Sequence, residues 1–391
     1  MLAIKLAIRN LMGGKLRTVL NILVLSFAYV MIIWYKGLIS GWAEQAVQDT
    51  INWEIGGGQY WHEKYDPYDP FTIEDSHAPI PELMETAISK GILTPILISQ
   101  GTIYPDGRVQ SVSIKGVDPN QTIIDLPTSH LNVDMDAIPA ILGAGMAKNN
   151  KLNIGDYVTV RWRDVNGTFD AAEAQIVHIF KVDVPTVDTG ILWIPIERHR
   201  EMVQLPGEAS IFVTDKETGT IGSLKGWDFK DTDFLLTDFF DLIKMKNIGG
   251  SVMYVFLLLL ALIAIFDTQV LSIFRRQKEI GTHVALGMTQ GKVIKLFTIE
   301  GLMYAVLAAI IGAIYGIPFF IWQAKIGYNM GIEDASQMGL AVSDVIYPIY
   351  SLGLIISTVL IIFIVTTIVS YLPARRISKL NPTDAIRGKI Q

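Results

Sequence analysis

Four long apolar runs constrain what this chain can fold into. They cover residues 18–35, 248–274, 297–323 and 347–372. Each run is long enough for an α-helix to cross a bilayer, which takes roughly 17 to 25 residues. Half of the 391 residues are hydrophobic and only 18% are charged, less than the roughly 25% of soluble domains. The sequence therefore predicts an α-helical membrane protein with four transmembrane helices.

Basic residues set the predicted orientation of these helices. Lysines and arginines precede the first run, separate the second from the third and follow the fourth. Short basic loops face the cytoplasm, so we expect both termini on that side. The predicted segments are a cytoplasmic amphipathic helix (1–17), a cytoplasmic loop (275–296), an extracytoplasmic loop (324–346) and a cytoplasmic tail (373–391). The net charge of −6 hides this asymmetry, which indicates topology rather than nucleic-acid binding.

A large α+β extracytoplasmic domain is predicted between the first two helices, at residues 36–247. Apolar and polar residues alternate over 110–117 and 157–163, as in half-buried strands. The flanks, 37–53 and 231–244, suit helical stalks that extend the membrane helices. There is no cysteine, which excludes disulfides, zinc thiolates and cysteine nucleophiles.

The cytoplasmic loop carries the pattern of a short helix with a defined end. Its residues are Glu279, Ile280, Gly281, Val284, Ala285 and Leu286, followed by Gly287. Glycine takes the left-handed conformation found at helix C-termini, and Thr289 is placed to cap the next helix. From spacing alone, an interfacial anchor and a docking helix both stay open.

The membrane runs contain two further features. Ala308, Gly312 and Gly316 present small residues that let another helix approach closely, within one protomer or between two. Asp267 lies inside the second run near its cytoplasmic end. An acid inside a membrane span is a functional candidate by default, but its role stays open.

Catalytic and nucleotide-binding motifs do not emerge from the sequence. The nearest candidate for a phosphate-binding loop, Gly287–Val293, is one residue short and ends in valine. Gly143 and Gly145 lack the third glycine of a dinucleotide fingerprint, so a turn is the better interpretation. The acids Asp231, Asp233 and Asp238 lack the other ligands of a calcium loop and suit a solvated helix face. We therefore expect no catalytic residue, no metal site and no directly bound cofactor.

The loop sequence EIGTHVALGMTQGKVIKLFTIEGL resembles the cytoplasmic loop of FtsX-like ABC transporter permeases, a family that includes macrolide exporters and lipoprotein-releasing permeases. The pattern is Glu-Ile-Gly, then Ala-Leu-Gly, then an acid on the returning helix, which is Glu300 here. The tail, with Pro373 to Arg376 and later Asn381-Pro382, is also similar to this family, and pieces of the 36–247 domain are similar more loosely. The resemblance implies that residues 279–287 form a coupling helix that docks on an ATPase subunit. Where the family often carries asparagine, this chain has Asp267.

The resemblance also implies a function. The chain would be the permease subunit of an ABC transporter in the bacterial inner membrane, and a separate ATPase subunit would bind ATP and magnesium. The cargo would be a lipoprotein, a lipid-like molecule or a hydrophobic peptide, handled at the outer face of the membrane. Expected partners are the ATPase, a second permease copy or a paralogue, and membrane lipids, but no nucleic acid. A periplasmic chaperone or adaptor stays open as a further partner. The alternative function is a mechanical relay that controls an extracytoplasmic partner such as a cell-wall hydrolase.

Overall fold

The computed structural model describes residues 15–276, 282, 287–329 and 345–377. In chain order, the α-helices are α1 (Lys15–Thr50), α2 (Glu82–Ser89), α3 (Ala144–Asn150), α4 (Pro185–Asp188), α5 (Ile196–Val203), α6 (Thr232–Leu235), α7 (Thr237–Arg275), α8 (Gln290–Ile326) and α9 (Leu352–Ile377). Among the described residues, four helices are long and apolar enough to cross a membrane, namely α1, α7, α8 and α9. They coincide with the four predicted apolar runs and fit the predicted membrane protein.

The strands lie mostly between α1 and α7. They are β1 (Gln59–His62), β2 (Ala78–Pro79), β3 (Leu93–Ile103), β4 (Gln110–Val117), β5 (Ile138–Gly143), β6 (Tyr157–Arg163), β7 (Phe169–Phe180), β8 (Ile191–Pro195), β9 (Glu208–Ala209), β10 (Ile211–Thr214), β11 (Trp227–Lys230), β12 (Tyr328–Asn329) and β13 (Val345–Ile346). The described residues form two compact units. One, the sheet domain, includes Ala43–Leu242, and the other, the helix bundle, holds the long helices.

The helices extend beyond the predicted membrane segments. α1 continues to Thr50 and through a π-helical turn, Ile51–Ile55, which ends where Gly56 takes a φ of 63°. α7 begins at Thr237 rather than at residue 248. The predicted domain, 36–247, included helical stalks at both flanks, and residues up to Trp42 and from Ile243 group with the bundle. Leu38 and Trp42 are buried, so the apolar face of α1 continues past its predicted membrane end.

The fourth membrane helix starts later and ends later than predicted. Tyr347 and Pro348 precede α9 and pass closely over α1, where the backbone N–H of Ile349 donates to the carbonyl of Gly37 at 3.0 Å. A Cβ on Gly41 would lie 2.1 Å from the carbonyl oxygen of Tyr347, so only glycine leaves room for this extended segment. At the other end, Pro373 lies inside α9 rather than ending it. A proline inside a helix removes one hydrogen bond to the residue four positions earlier.

Six strands of the sheet domain close into a barrel. The nine-stranded sheet has the order β11-β1-β10-β3-β4-β8-β5-β7-β6, and a further pairing joins β3 to β6. β4 pairs with β8 and β5 with β7 in parallel, while the other barrel pairs run antiparallel. In β6, the predicted alternation is present, because Val158, Val160 and Trp162 are buried and their neighbours are exposed. Such residues from all six strands fill the barrel core.

A histidine from α5 packs against the inner faces of β3 and β4. His199 is fully buried and its Nε2 lies 2.7 Å from the Ser99 hydroxyl on β3. A Cβ on Gly116 of β4 would lie 2.7 Å from His199 Nδ1, so this glycine makes space for the ring. Burial lowers the pKa of His199 to about 3, because the charged imidazolium would lose its hydration. The ring is therefore neutral in the folded protein at neutral pH.

This buried histidine predicts acid sensitivity. The unfolded chain would titrate His199 near its ordinary pKa of 6.5, so below that pH the unfolded state binds more protons than the folded state. Stability is then lost as the pH falls, with a limiting slope of about 1.4 kcal/mol per pH unit from this group. We expect the loss of melting temperature between pH 7 and pH 5 to be smaller in His199→Gln than in wild type, measured on the full chain in detergent. Parallel pH profiles for the two proteins would contradict this assignment.

The Gly143 and Gly145 motif is a strand-to-helix turn built around a buried acid. The backbone N–H of Gly145 donates to Asp188 Oδ1 at 2.8 Å. A Cβ on Gly143 would lie 2.4 Å from the backbone oxygen of Asp188. The two glycines therefore let the end of β5 and the start of α3 pack against α4. This close packing explains why both positions are glycine.

Two of the three acids considered as calcium ligands hold parts of the sheet domain together instead. Asp231 caps α6 by accepting a hydrogen bond from the backbone N–H of Phe234 at 2.8 Å. Asp238 accepts a hydrogen bond from the Tyr68 hydroxyl. Within the described part of the chain, no group of three or more histidine or acidic side chains is placed to hold a metal ion.

Candidate functional site

The helices that flank the predicted coupling loop end close together. α7 ends at Arg275, and the backbone N–H of Arg276 still bonds to the carbonyls of Ser272 and Ile273. Gly287 has a φ of 95°, the positive value expected of a glycine after a helix. Thr289 stands at the N-cap position of α8 with extended backbone, but its side chain makes no capping hydrogen bond. The other predicted coupling residues, at 279–281 and 284–286, lie outside the described residues.

An ion pair joins these two helices at the base of the loop. Arg276 Nη1 lies 3.2 Å from Glu300 Oε2, and only 3% of the Glu300 side chain is exposed. The guanidinium also lies over the Phe297 ring, 5.4 Å from its centroid. A buried carboxylate is costly unless it is paired, and Arg276 supplies an opposite charge beside Glu300. The pair links the last turn before the loop to the third turn after it.

A layer of polar side chains lies next to this ion pair and draws on all four long helices. Asn21 of α1 donates its amide Nδ2–H to the Thr268 hydroxyl of α7 at 2.5 Å. Gln269 of α7 and Ser370 of α9 are both fully buried. A Cβ on Gly301 of α8 would lie 1.9 Å from Ser370 Oγ and 3.3 Å from Gln269 Nε2. Gly301 therefore allows α7, α8 and α9 to meet one residue after Glu300.

Several members of this polar layer lack protein partners. Within the described residues, both amide atoms of Gln269 and the hydroxyls of Thr366 and Ser370 are buried without a hydrogen bond. Buried polar groups of this kind each cost free energy relative to water. Rearrangement of the helices that admits water would recover this cost. Each such group therefore stabilises the packing of these helices less than a hydrogen-bonded side chain would.

The predicted packing residues on α8 lie against α1. Ala308 is fully buried, and a Cβ on Gly312 would lie 3.4 Å from the backbone oxygen of Ser26. At Gly316, a Cβ would lie 2.8 Å from Val30 Cγ2. These small residues therefore serve close packing of α8 on α1 within the chain.

From the sequence, Asp267 is the functional candidate in the second apolar run, but in the structure the buried polar residues there are its neighbours. Asp267 is exposed, and Thr268 and Gln269 are buried. The sequence identified Glu300 only through the family resemblance, and Arg276 only as one of the basic residues that indicate the orientation of the helices. The signal that could have paired them is the presence of one acid and one base at the loop-side ends of adjacent apolar runs, because a charge in such a place needs a partner.

The comparison with protein families covers the bundle's C-terminal part. Residues 251–382 match the model of the FtsX-like permease C-terminal domain. This part of the chain carries an FtsX-like permease C-terminal domain. The resemblance seen in the loop and tail is thereby confirmed, and the match includes the Arg276–Glu300 pair and most of the polar layer.

Known proteins similar to this chain include ABC transporter permeases. The uncharacterized ABC transporter permease MJ1507 of Methanocaldococcus jannaschii is 25% identical over 274 residues, which are 66% of this chain and 64% of that protein. LolC of Neisseria meningitidis, a lipoprotein-releasing system transmembrane protein, is 22% identical over 339 residues, 76% of this chain and 79% of LolC. The macrolide export ATP-binding/permease protein MacB of Rhodopirellula baltica is 29% identical over 125 residues, but these cover only 16% of MacB. These similarities and the four long apolar helices indicate a membrane protein that is similar to permeases of the ABC transporter class.

Proposed function

We propose that this permease couples ATP hydrolysis by a separate ATPase subunit to extraction or export of a lipoprotein, a lipid-like molecule or a hydrophobic peptide. The work would be done at the outer face of the bacterial inner membrane. The observation that carries the proposal is the Arg276–Glu300 ion pair. It ties together the two helices that enter and leave the predicted ATPase-docking loop.

The proposed mechanism follows from that connection. Residues 279–287 dock on the ATPase, and closure of two ATPase subunits moves the loop in each of two permease copies or paralogues. Because the ion pair fixes α7 to α8, both helices move together when the loop is displaced. Several buried polar atoms in the layer around Gln269 lack a hydrogen bond, and this layer lets α7 and α8 shift against α1 and α9. Conformational switches of this kind need only a few kcal/mol between states.

The path from the bundle toward the cargo runs along two helices. α1 and α7 both extend beyond their apolar runs, to Thr50 and from Thr237 respectively. These extensions support the proposal that loop motion reaches the sheet domain on the extracytoplasmic side. The termini and the loop are then cytoplasmic. A periplasmic chaperone or adaptor that accepts the cargo fits the same scheme.

Loss of ATPase binding is the expected result of changing the loop. We expect the double variant Glu279→Arg with Leu286→Asp to co-purify little or no ATPase in detergent, because it reverses one charge and places another in the docking helix. Wild type should bring down an ATPase with a phosphate-binding loop. Mass spectrometry of the co-purified proteins provides the measurement.

A matched control separates docking from folding. The same chemical changes at Glu82→Arg with Leu83→Asp fall on the exposed face of α2 in the sheet domain and should leave ATPase recovery unchanged. If wild type recovers no ATPase, the proposed function is wrong. If it recovers instead a cell-wall hydrolase with the ATPase, the relay alternative gains support over transport.

A further inference from the structure

A second polar site lies in the helix bundle, far from the Arg276–Glu300 pair. Along α1, Lys36 comes 15 residues after Asn21, which is about 22 Å at the α-helical rise of 1.5 Å per residue. Here α1, α7 and α9 line a half-open cavity of about 330 Å³. Its lining residues are Tyr35, Lys36, Ile39, Ser40, Gly250, Ser251, Tyr254, Leu354 and Ser357.

The polar groups of this cavity form a set suited to an anion. Lys36 Nζ lies 5.0 Å from the centroid of the Tyr254 ring, in a cation–π contact. The Tyr254 hydroxyl donates to Ser251 Oγ at 2.8 Å. The lining contains one cation and several hydroxyl groups but no acid. Within the part of the chain that the structure describes, no carboxylate lies within ion-pair distance of Lys36.

The backbone of α7 helps to shape this cavity. A Cβ on Gly250 would lie 2.7 Å from Cε1 of Tyr35, so glycine lets the Tyr35 ring pack directly on α7. Tyr35 and Lys36 are neighbours on α1, and Ile39 and Ser40 continue the same helix face one turn later. Ile39 and Leu354 supply the apolar part of the lining.

The position of Lys36 relative to the apolar run indicates the source of the anion. Lys36 directly follows the run at residues 18–35, and lysine and tyrosine at the end of a membrane helix lie at the level of the lipid headgroups. Phosphate is the anion that is abundant at that depth. A lysine ammonium binds phosphate as a point charge, and serine and tyrosine hydroxyls can donate further hydrogen bonds.

We propose that this cavity binds the phosphate of a lipid headgroup, with Lys36 as its charge partner and the glycerol region against Ile39 and Leu354. This inference rests on the membrane assignment of α1, α7 and α9 and not on ATPase coupling. The site can therefore fail while the proposed function stands, and the reverse also holds.

Lipid binding to the purified full chain in detergent tests the site. Native mass spectrometry would compare phosphatidylglycerol with diacylglycerol of the same acyl chains, for wild type, Lys36→Met and Lys36→Arg. Loss of one charge-assisted contact should weaken phosphatidylglycerol binding about 10- to 100-fold in Lys36→Met. Lys36→Arg should retain most of the binding. Lys325→Met, at an exposed lysine near the end of α8, should bind like wild type.

Three results would overturn the inference. Equal binding of phosphatidylglycerol by wild type and Lys36→Met would mean that Lys36 only extends toward the headgroups without forming a site. Equal binding of diacylglycerol and phosphatidylglycerol by wild type would remove the role of phosphate. Full competition by millimolar inorganic phosphate would assign the cavity to a free anion instead of a lipid. Melting temperatures of the Lys36 variants within a few degrees of wild type show that the comparison is made on folded protein.

Discussion

Replacing Glu300 with alanine is expected to destabilise the helix bundle by about 3 kcal/mol, the lower end of the range for breaking a buried ion pair. The lower end applies because the Arg276 side chain keeps 23% of its exposure and can regain some hydration. The change removes the Glu300 carboxylate from beside Arg276 and opens space beside the polar layer. Chemical unfolding of the full chain in detergent measures the effect.

A double-mutant cycle tests whether the two charges act as a pair. Arg276→Ala with Glu300→Ala should cost clearly less than the sum of the two single changes, because each single change already removes the contact that the two side chains share. Asp267→Ala serves as a control, since it removes an exposed acid from the same bundle and should have a small effect. Additive losses at 276 and 300 would show that the contact has no energetic role.

A single methyl group at Gly41 is expected to have an effect opposite in sign to its effect at Gly249. Alanine is favoured over glycine inside a helix by about 1 kcal/mol, and a Cβ on Gly249 meets nothing within 4 Å. Gly249→Ala should therefore stabilise the chain or leave it unchanged. At Gly41, the added Cβ would lie 2.1 Å from the Tyr347 carbonyl oxygen and 2.9 Å from Pro348 Cα.

This contact makes Gly41→Ala destabilising. The clash involves backbone atoms, which no side-chain rotation can relieve, and overpacking of this kind costs about 1 to 3 kcal/mol. Displacing the 347–351 segment also threatens the hydrogen bond from Ile349 to Gly37. Unfolding midpoints of the two variants, measured side by side in detergent, give the comparison. A Gly41→Ala protein as stable as Gly249→Ala would show that the segment does not pack on α1 as described.

The pattern of apolar and polar residues along the chain predicted much of the fold. The four apolar runs located α1, α7, α8 and α9, and the alternation at 157–163 located β6. β3, which pairs with three other strands, was not predicted. Its first six residues are all buried, so it lacks the alternation that identifies a half-buried strand, and an apolar run of that length does not distinguish a strand from a helix.

Features of the site that depend on contacts between residues far apart in the chain could not be predicted from the sequence. Gln269 and Ser370 are single polar residues in apolar runs, and their proximity depends on how α7 and α9 pack on Gly301. Likewise, Gly37 and Gly41 resemble any helix-packing glycines, although they accept an extended chain rather than a helix. The start of the fourth helix was misplaced for the same reason, because the apolar residues before Leu352 belong to that extended chain.

Site-specific crosslinking in native membranes tests the central claim most directly. A photoreactive amino acid at position 286, in the predicted coupling helix, should crosslink to an ATPase subunit. The same group at Tyr68, which is 77% exposed in the sheet domain, should not, because that domain is proposed to lie on the other side of the membrane. An ATPase crosslink from 286 alone is the predicted result. A crosslink from Tyr68 alone, or none from 286 in membranes that contain the ATPase, would contradict the account.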